Sequence, residues 1–571
     1  MTPFLRKLYP YRHWAFLLPL LFFGLFYFYP LGAILQLGLA PDGRLQLSHI
    51  LDFLSDGYFL SILWFTFWQA VVSTLLTVGL ALPGAYIFAR YQFWGKATMK
   101  AIMTLPFVLP TVVVANAFTA LLGPRGLLNE AAQTWLGFSS APITLERTIW
   151  MILLAHVFYN YSVALRMISG YWQNLNPDLV EAAQMLGASP WRAFWKVNWP
   201  LLRPAIFAAT VLVFTFSFTS FGVVLILGGP GFSTLEVEIY RQAVNLFDLP
   251  IAAALSLLQI LFTFVLMWFY TRSQAGLTRP LRLKSARATV RPIKTLFDRI
   301  MVGGNLGLMF ILLASPLLAL VSRSFLTDNR LTFQFYRQLT VNERGSIFFV
   351  PPGWAVFNSV AIALVTMVIA VGLGLISVYL IATDTAARTQ HQNHRLWRIR
   401  GWLDPLFMLP IATSAVTLGF GYIIALNKPP LNLRQSLILV PIAHALVAIP
   451  FVIRAVLPAL RRIDPKLREA ATLLGADAPQ VWRQIDWPLM RRAVLVGAVF
   501  AFTISMGEFG ATVFIARPNM PTMPVAIFRF LGQPGELNYG QALAMSSLLM
   551  LVCAIGFIAI ERFRLGDEGE F

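Results

Sequence analysis

Few residues in this chain are of a type that does chemistry, and those few come in pairs. His156 and His444 each sit in the middle of a long apolar run, 288 positions apart. Glu508 lies in a third run, within Ser505-Met506-Gly507-Glu508-Phe509-Gly510. The residue 288 positions earlier is Ser220, within Ser217-Phe218-Thr219-Ser220-Phe221-Gly222. Ionisable groups inside apolar spans are expensive to bury, so each is a functional candidate by default. A structural role fits them equally: a polar side chain hydrogen-bonds a neighbouring helix, and a small one lets helices approach. No nucleophile–base grouping stands out along the chain, and the lone Cys553 excludes an intramolecular disulfide or a Cys-based metal cluster. No GxxxxGK[ST] phosphate loop occurs, so ATP is not bound by that route. The expectation is a chain with no catalytic, metal or cofactor site of its own.

The same 288-residue offset governs a longer match. Glu181 to Pro204 reads EAAQMLGASPWRAFWKVNWPLLRP, and Glu469 to Arg492 reads EAATLLGADAPQVWRQIDWPLMRR. Each copy is a polar, helix-prone insert between two long hydrophobic runs. Asp178 after Pro177, and Asp464 before Pro465, are positioned to cap a helix start. The short helix that follows carries Ala182, Met185 and Leu186 on one side at i, i+3, i+4 spacing. Gly187 and Gly475 suit a left-handed helix end. A second short helix, with Trp191, Phe194 and Trp195 on one face, is expected before Trp199-Pro200 opens the next span. One such segment alone reads as an amphipathic helix lying at the membrane surface. Two copies with identical spacing suit a partner with two equal sockets.

The runs that carry these residues span a membrane. The chain has 571 residues, 58% hydrophobic and 12% charged, against about 25% charged in soluble proteins. Twelve spans are expected, at roughly 14–40, 58–89, 101–122, 147–168, 201–228, 251–271, 300–322, 355–382, 403–426, 436–457, 490–516 and 538–560; runs of ~20 apolar residues each cross a bilayer as a helix. The first exceeds a signal-peptide core, so it is read as uncleaved. With the N-terminus inside, 32 of the 44 Lys and Arg fall on the cytoplasmic side, as the positive-inside rule requires. The net charge of +19 is thereby explained by topology, and nucleic acid is not an expected partner. Both termini and both Glu-Ala-Ala segments then lie inside.

A basic stretch at 272–299 separates an N-terminal repeat, 1–271, from a C-terminal repeat, 300–571. Six spans per half is an even number, so the halves are parallel repeats about an axis along the membrane normal. The run from Ala155-His156 to Arg166 matches Ala443-His444 to Arg454 at the common offset, whereas Leu109-Pro110 matches Leu409-Pro410 at an offset of 300. The first spans of the two halves match only in position.

The spacing Glu-Ala-Ala, Gly six residues after the Glu and Pro thirteen after the Gly resembles the signature loop of type I ATP-binding-cassette (ABC) importer permeases. Glu181, Ala182, Ala183, Gly187 and Pro200 carry it in one half; Glu469, Ala470, Ala471, Gly475 and Pro488 carry it in the other. Trp199 and Trp487 stand where that family usually has Leu. The resemblance covers nearly the whole chain as two fused permease domains, the arrangement of thiamine and ferric-iron importers. It implies an all-α polytopic membrane protein of the MetI-like fold in the bacterial cytoplasmic (inner) membrane. It also implies that each short helix docks on one of two ATPase subunits, where ATP and Mg are bound, and that one external solute-binding protein delivers the solute. In that family the span after the loop lines the translocation path, which places Ser217, Ser220, Phe221, Ser505, Glu508 and Phe509 near it. A carboxylate there suits a cationic solute, and aromatic rings suit one by cation–π attraction. The stretches TLEVEIYRQA (Thr234 to Ala243) and TMPVAIFRFL (Thr522 to Leu531) resemble the outer region of thiamine-type permeases. A twelve-span transporter driven by an ion gradient is the alternative; it has no need of twin helices with this spacing.

Overall fold

The protein is described by a computed structural model over residues 17–40, 55–275, 290–327, 330–341, 351–387, 403–427, 429 and 431–565. Arg6, Lys7 and Arg12, residues 276–289 of the basic 272–299 stretch and the inner loop at 388–402 lie outside the described residues. The apolar runs form helices because hydrocarbon offers backbone groups no other partner. In the first half these are α1 (Leu17–Leu39), α2 (Gly57–Arg90), α3 (Lys96–Ile102), α4 (Leu105–Val108), α5 (Thr111–Leu122), α6 (Leu127–Leu136), α7 (Ile149–Gln173), α8 (Asp178–Met185), α9 (Pro190–Phe218), α10 (Gly222–Leu227), α11 (Leu235–Tyr240) and α12 (Leu249–Ala275). In the second half they are α13 (Leu296–Ser324), α14 (Pro352–Ala387), α15 (Leu403–Ala412), α16 (Ala415–Ala425), α17 (Leu439–Arg462), α18 (Pro465–Leu473), α19 (Ala478–Gly507), α20 (Thr512–Ile515), α21 (Met523–Leu531) and α22 (Glu536–Leu565).

Among the described residues, eleven helices are long and apolar enough to cross a membrane, or twelve if α15 and α16 count as one span bent by 95°. The expected spans at 201–228 and 490–516 are not continuous. α9 ends at Phe218 and α10 restarts at Gly222; α19 ends at Gly507 and α20 restarts at Thr512. Such breaks are tolerated at membrane depth only where protein or a cavity surrounds them.

The two halves repeat one packing scheme. α2, α7 and α9 form a mutually packed trio, and α14, α17 and α19 form its counterpart. The first spans, unrelated in sequence, take equivalent places. α1 packs on α12 of its own half and on α16 of the other, while α13 packs on α22 of its own half and on α5 of the other. Polar bonds fix both crossings. The Tyr422 hydroxyl donates to the Phe26 carbonyl at 2.9 Å, and Arg323 of α13 pairs with Glu130 of α6. One buried cluster therefore runs through both halves, from Ile34 and Val112 to Phe420 and Leu549.

The entry to the second half is tied to the first. Tyr91-Gln92 (β1) pairs in parallel with Arg291-Pro292 (β2). The Tyr91 hydroxyl donates to Asp298 Oδ1 at 2.7 Å, and the Arg291 guanidinium lies 4.5 Å over the Tyr91 ring. A second short pair, Leu326-Thr327 (β3) with Arg330-Leu331 (β4), is antiparallel.

Candidate functional site

The two Glu-Ala-Ala segments fold alike. α8 and α18 bury none of their own residues. Both end in the same left-handed turn. Gly187 has φ +86° and Gly475 φ +89°. The Ala188 amide bonds the Ala183 carbonyl at 3.0 Å and the Gly187 amide the Gln184 carbonyl at 2.9 Å; Ala476 to Ala471 and Gly475 to Thr472 repeat this at 3.0 and 3.1 Å. This is the Schellman pattern, six-to-one and five-to-two bonds around a left-handed residue. It leaves Met185 and Leu186, and Leu473 and Leu474, close to 90% exposed. Glu181, Ala182, Glu469, Ala470, Pro200 and Pro488 are exposed too, while Ala183 and Ala471 are half-buried. Asp464 caps α18 by accepting from the Lys466 amide at 3.0 Å. Asp178 is the first residue of α8 and not its cap: the Pro177 carbonyl accepts from the Val180 and Glu181 amides at 3.0 and 3.1 Å, and the Asn176 side chain accepts from the Asp178 amide at 3.1 Å.

The expected second short helix is part of the following span. From Pro190 the helix runs through a π-turn at Phe194–Asn198 straight into Trp199–Phe218, and the second half does the same through Trp482–Asp486. The reason is the proline. Pro200 and Pro488 lack an amide and crowd the carbonyl four residues back. A single wide turn just before each proline absorbs that crowding, and the Trp199 and Trp487 amides reach back five residues to Phe194 and Trp482. Each span is thus one continuous helical rod, starting a few residues after its exposed short helix. The rods are not held identically. Asp486, buried, accepts from Arg468 Nε at 2.8 Å and from the Tyr379 hydroxyl at 3.4 Å. The positions 288 earlier are Asn198 and Val180, which cannot form that ion pair.

At the other end of the rods the halves meet around a cavity of about 350 Å³, within the range of small-ligand sites. Phe221 and Phe509, equivalent residues at the two helix breaks, stack with ring centres 5.6 Å apart and planes 23° apart. Tyr240 packs on Phe221 at 5.6 Å and 60°, and its equivalent Phe528 packs on Phe509 at 5.4 Å and 60°. The glycines after the breaks allow this closeness: a Cβ on Gly222 would sit 2.3 Å from Thr111 Oγ1, and one on Gly510 would sit 3.1 Å from the Ala415 Cβ. Those contacts equate Thr111 with Ala415, four positions beyond the match inferred from the Leu-Pro pairs. α16 starts after Ser414, whose hydroxyl accepts from the Val416 amide at 3.1 Å, whereas Pro410 lies inside α15.

Ser220, Phe221 and Phe509 line the cavity, as does His156. Ser217, Ser505 and Glu508 lie beside it, buried and outside its lining. Ser217 is engaged by Asn160 Nδ2 at 3.3 Å. Glu508 holds the second helix break together. Its carboxylate accepts from the Ala511 and Thr512 amides at 2.7 and 3.0 Å, so it caps α20, and it lies 3.2 Å from His444 Nε2. His444 also bonds Ser505 Oγ and Thr512 Oγ1, each at 2.7 Å. His156 joins Ser73 of α2 at 2.9 Å to Ser220 at 2.8 Å. Both histidines thus fasten a broken span to its neighbours.

The carboxylate that does line the cavity is Glu236 of α11. It is fully buried, accepts from Ser414 Oγ at 2.5 Å and from Gln259 Nε2 at 3.1 Å, and joins the two halves. The sequence holds a signal for it. Two glutamates, 236 and 238, interrupt the apolar Leu235–Ile239, and the equivalent residues are Pro524 and Ala526.

The sequence profile of the binding-protein-dependent transport system inner membrane component family matches residues 81–279 and again 385–564. The chain belongs to that family. Each half of this fused permease supplies one match, and each match contains one Glu-Ala-Ala segment. It is similar to the thiamine transport system permease protein ThiP of Brucella abortus, at 28% identity over 91% of this chain and 90% of the relative. The ThiP of Haemophilus influenzae is 27% identical over 96% and 95%, and that of Escherichia coli 27% identical over 89% of each. The protein is therefore a multi-pass, inner-membrane permease of an ABC importer.

Proposed function

We propose that this permease carries thiamine, or a closely related aromatic cation, into the cytoplasm by ATP-driven alternating access. Two ATPase subunits bind ATP and Mg on the cytoplasmic face, where both chain termini also lie, and one external binding protein presents the solute. This chain brings no cofactor. Residues 1–271 and 300–571 act as its two permease repeats, joined by the basic segment 272–299. Glu181, Ala182, Ala183, Gly187 and Pro200, with Glu469, Ala470, Ala471, Gly475 and Pro488, couple it to the ATPases. Ser220, Phe221 and Phe509 form the path, and Ser217, Ser505 and Glu508 support its walls.

The observation that carries this reading is the matched pair of exposed helix ends. Nearly bare Met185-Leu186 and Leu473-Leu474 leave apolar surface that a docked partner would remove from water. Each helix is joined by a short turn to a rod that runs to the Phe221–Phe509 contact. Closure of an ATPase dimer would draw the two rods together at one end and part the rings at the other, a rigid-body switch. Thiamine is favoured among solutes by the similarity to ThiP along nine-tenths of both chains.

The test is co-purification and uptake. The wild-type chain should co-elute with the cognate ATPase and support receptor-dependent thiamine uptake. Glu181→Lys with Glu469→Lys should lose both while the chain stays folded in the membrane. Uptake that continues with the ATPase deleted would instead establish an ion-driven carrier. A receptor that binds ferric iron and not thiamine would leave the coupling intact and overturn the solute.

A further inference from the structure

Three buried glutamates stand near the cavity, and they differ in what surrounds them. Glu508 caps α20 and touches His444. Glu238 accepts from the Tyr58 hydroxyl and Gln242 Nε2 and lies 3.9 Å from Arg241. Glu236 faces the cavity, and both of its hydrogen-bond partners, Ser414 and Gln259, are neutral. A carboxylate accepts about four hydrogen bonds, so two of its lone-pair sites remain for another group. A buried charge without a counter-charge is strongly unfavourable. A cation entering the cavity would supply that counter-charge.

The rest of the lining suits an organic cation with an aromatic part. Phe107, Tyr159, Phe216, Phe221 and Phe509 all border the same space. Their ring faces attract positive charge and stack on flat heterocycles.

We propose that Glu236, with the rings of Phe221, Phe509 and Tyr159, forms a solute subsite for an aromatic organic cation, and that the solute's positive end is oriented toward the first half. The orientation follows because the equivalent position in the second half is Pro524, which offers no charge. This rests on the reading of the cavity as part of the solute path.

The test uses the intact transporter, permease with ATPase, in lipid nanodiscs without the binding protein, and radiolabelled thiamine as probe. In the wild type, benzyltrimethylammonium should displace thiamine at least tenfold more effectively than neopentylbenzene, its uncharged carbon isostere. Glu236→Gln should weaken thiamine binding at least tenfold, and Glu236→Asp less. Equal displacement by the two compounds, unchanged binding in Glu236→Gln, or no displaceable thiamine at millimolar concentration in the wild type would each overturn the proposal. The displacement comparison needs no variant, so it stands even if Glu236→Gln fails to fold. Thr219→Trp, which fills the cavity from α9's end, separates the two levels. If it stops receptor-dependent uptake while Glu236→Gln binds thiamine normally, the path stands and the subsite falls. If uptake survives Thr219→Trp, the path falls and the subsite with it.

Discussion

Replacing Gly187 and Gly475 by alanine tests the coupling at a point where the structure isolates a single energy term. Both glycines have φ near +90°, at +86° and +89°. A Cβ at either position would meet no atom within 4 Å, so a clash contributes nothing. What remains is the cost of holding an L-residue in the left-handed region, roughly 1–2 kcal/mol per residue. α8 and α18 bury no residues that would resist, so the strain is relieved by unwinding the last turn. A shift of that size lowers the ratio of ordered to unwound turn roughly 5–30-fold. The expected result is a measurable loss of apparent ATPase affinity, up to that range, for each single variant, because affinity scales with the ordered fraction; it is read by titrating purified ATPase against the nanodisc-embedded permease. Thermal unfolding of the membrane helices should not move, because α8 and α18 bury none of their residues. Asparagine, which visits the left-handed region more readily than alanine, should retain most of the binding. The reasoning is refuted if Gly187→Ala with Gly475→Ala binds ATPase like the wild type, or if asparagine is no better than alanine.

Four further outcomes follow from named contacts. Glu508→Ala strips the buried Ala511 and Thr512 amides and His444 of their acceptor and should lower stability by at least about 1–3 kcal/mol, the cost of a buried donor left unsatisfied, while leaving displacement of bound thiamine by benzyltrimethylammonium unchanged; a changed displacement profile would put Glu508 in the path. Phe221→Ala with Phe509→Ala removes a stacked pair of about 0.5–1.5 kcal/mol beyond its buried area, and should raise ATP-independent leak of thiamine from proteoliposomes. Arg468→Ala leaves buried Asp486 without its cation, and should weaken ATPase binding more than Asp486→Asn, which recreates the Asn198 of the first half. Burial holds the Lys96 ammonium down to about 8, helped by the charge of Lys100. Below that pH both folded and unfolded chains are protonated there; between about 8 and 10.5 only the folded chain has lost the proton, so its stability should rise with pH. The difference in unfolding midpoint between wild type and Lys96→Met should therefore change across that window and be flat below it.

The fold was largely legible before any coordinate. The two halves, the position of nearly every span and the twin segments at 181–204 and 469–492 follow from hydropathy and from one offset. Those are local properties that survive in the order of residues. The left-handed ends at Gly187 and Gly475 were legible for the same reason, since few residues other than glycine tolerate that turn. Two local readings failed on local grounds. Asp178 reads as a cap, but the helix starts one residue sooner: the Pro177 carbonyl takes the Val180 and Glu181 amides that a cap at 178 would bind. Trp199-Pro200 was expected to open a helix, but a π-turn carried the existing helix through it.

What the order of residues determined, then, is that this chain crosses a membrane many times as two copies of one unit, each bearing the same exposed helix. Its hydrocarbon surroundings and its repeat leave little other choice. Only the tertiary structure decided which carboxylate lines the cavity. Glu508 looked the better candidate because it interrupts a span, yet two amides three and four residues onward and a histidine 64 residues away claim its oxygens. Glu236 sits in a short helix in a connection between spans, and it reaches the cavity because Ser414, 178 residues distant, is brought against it by the interlock of the halves. A side chain's partners across a helix interface are set by packing of distant segments, and no spacing within one segment records them.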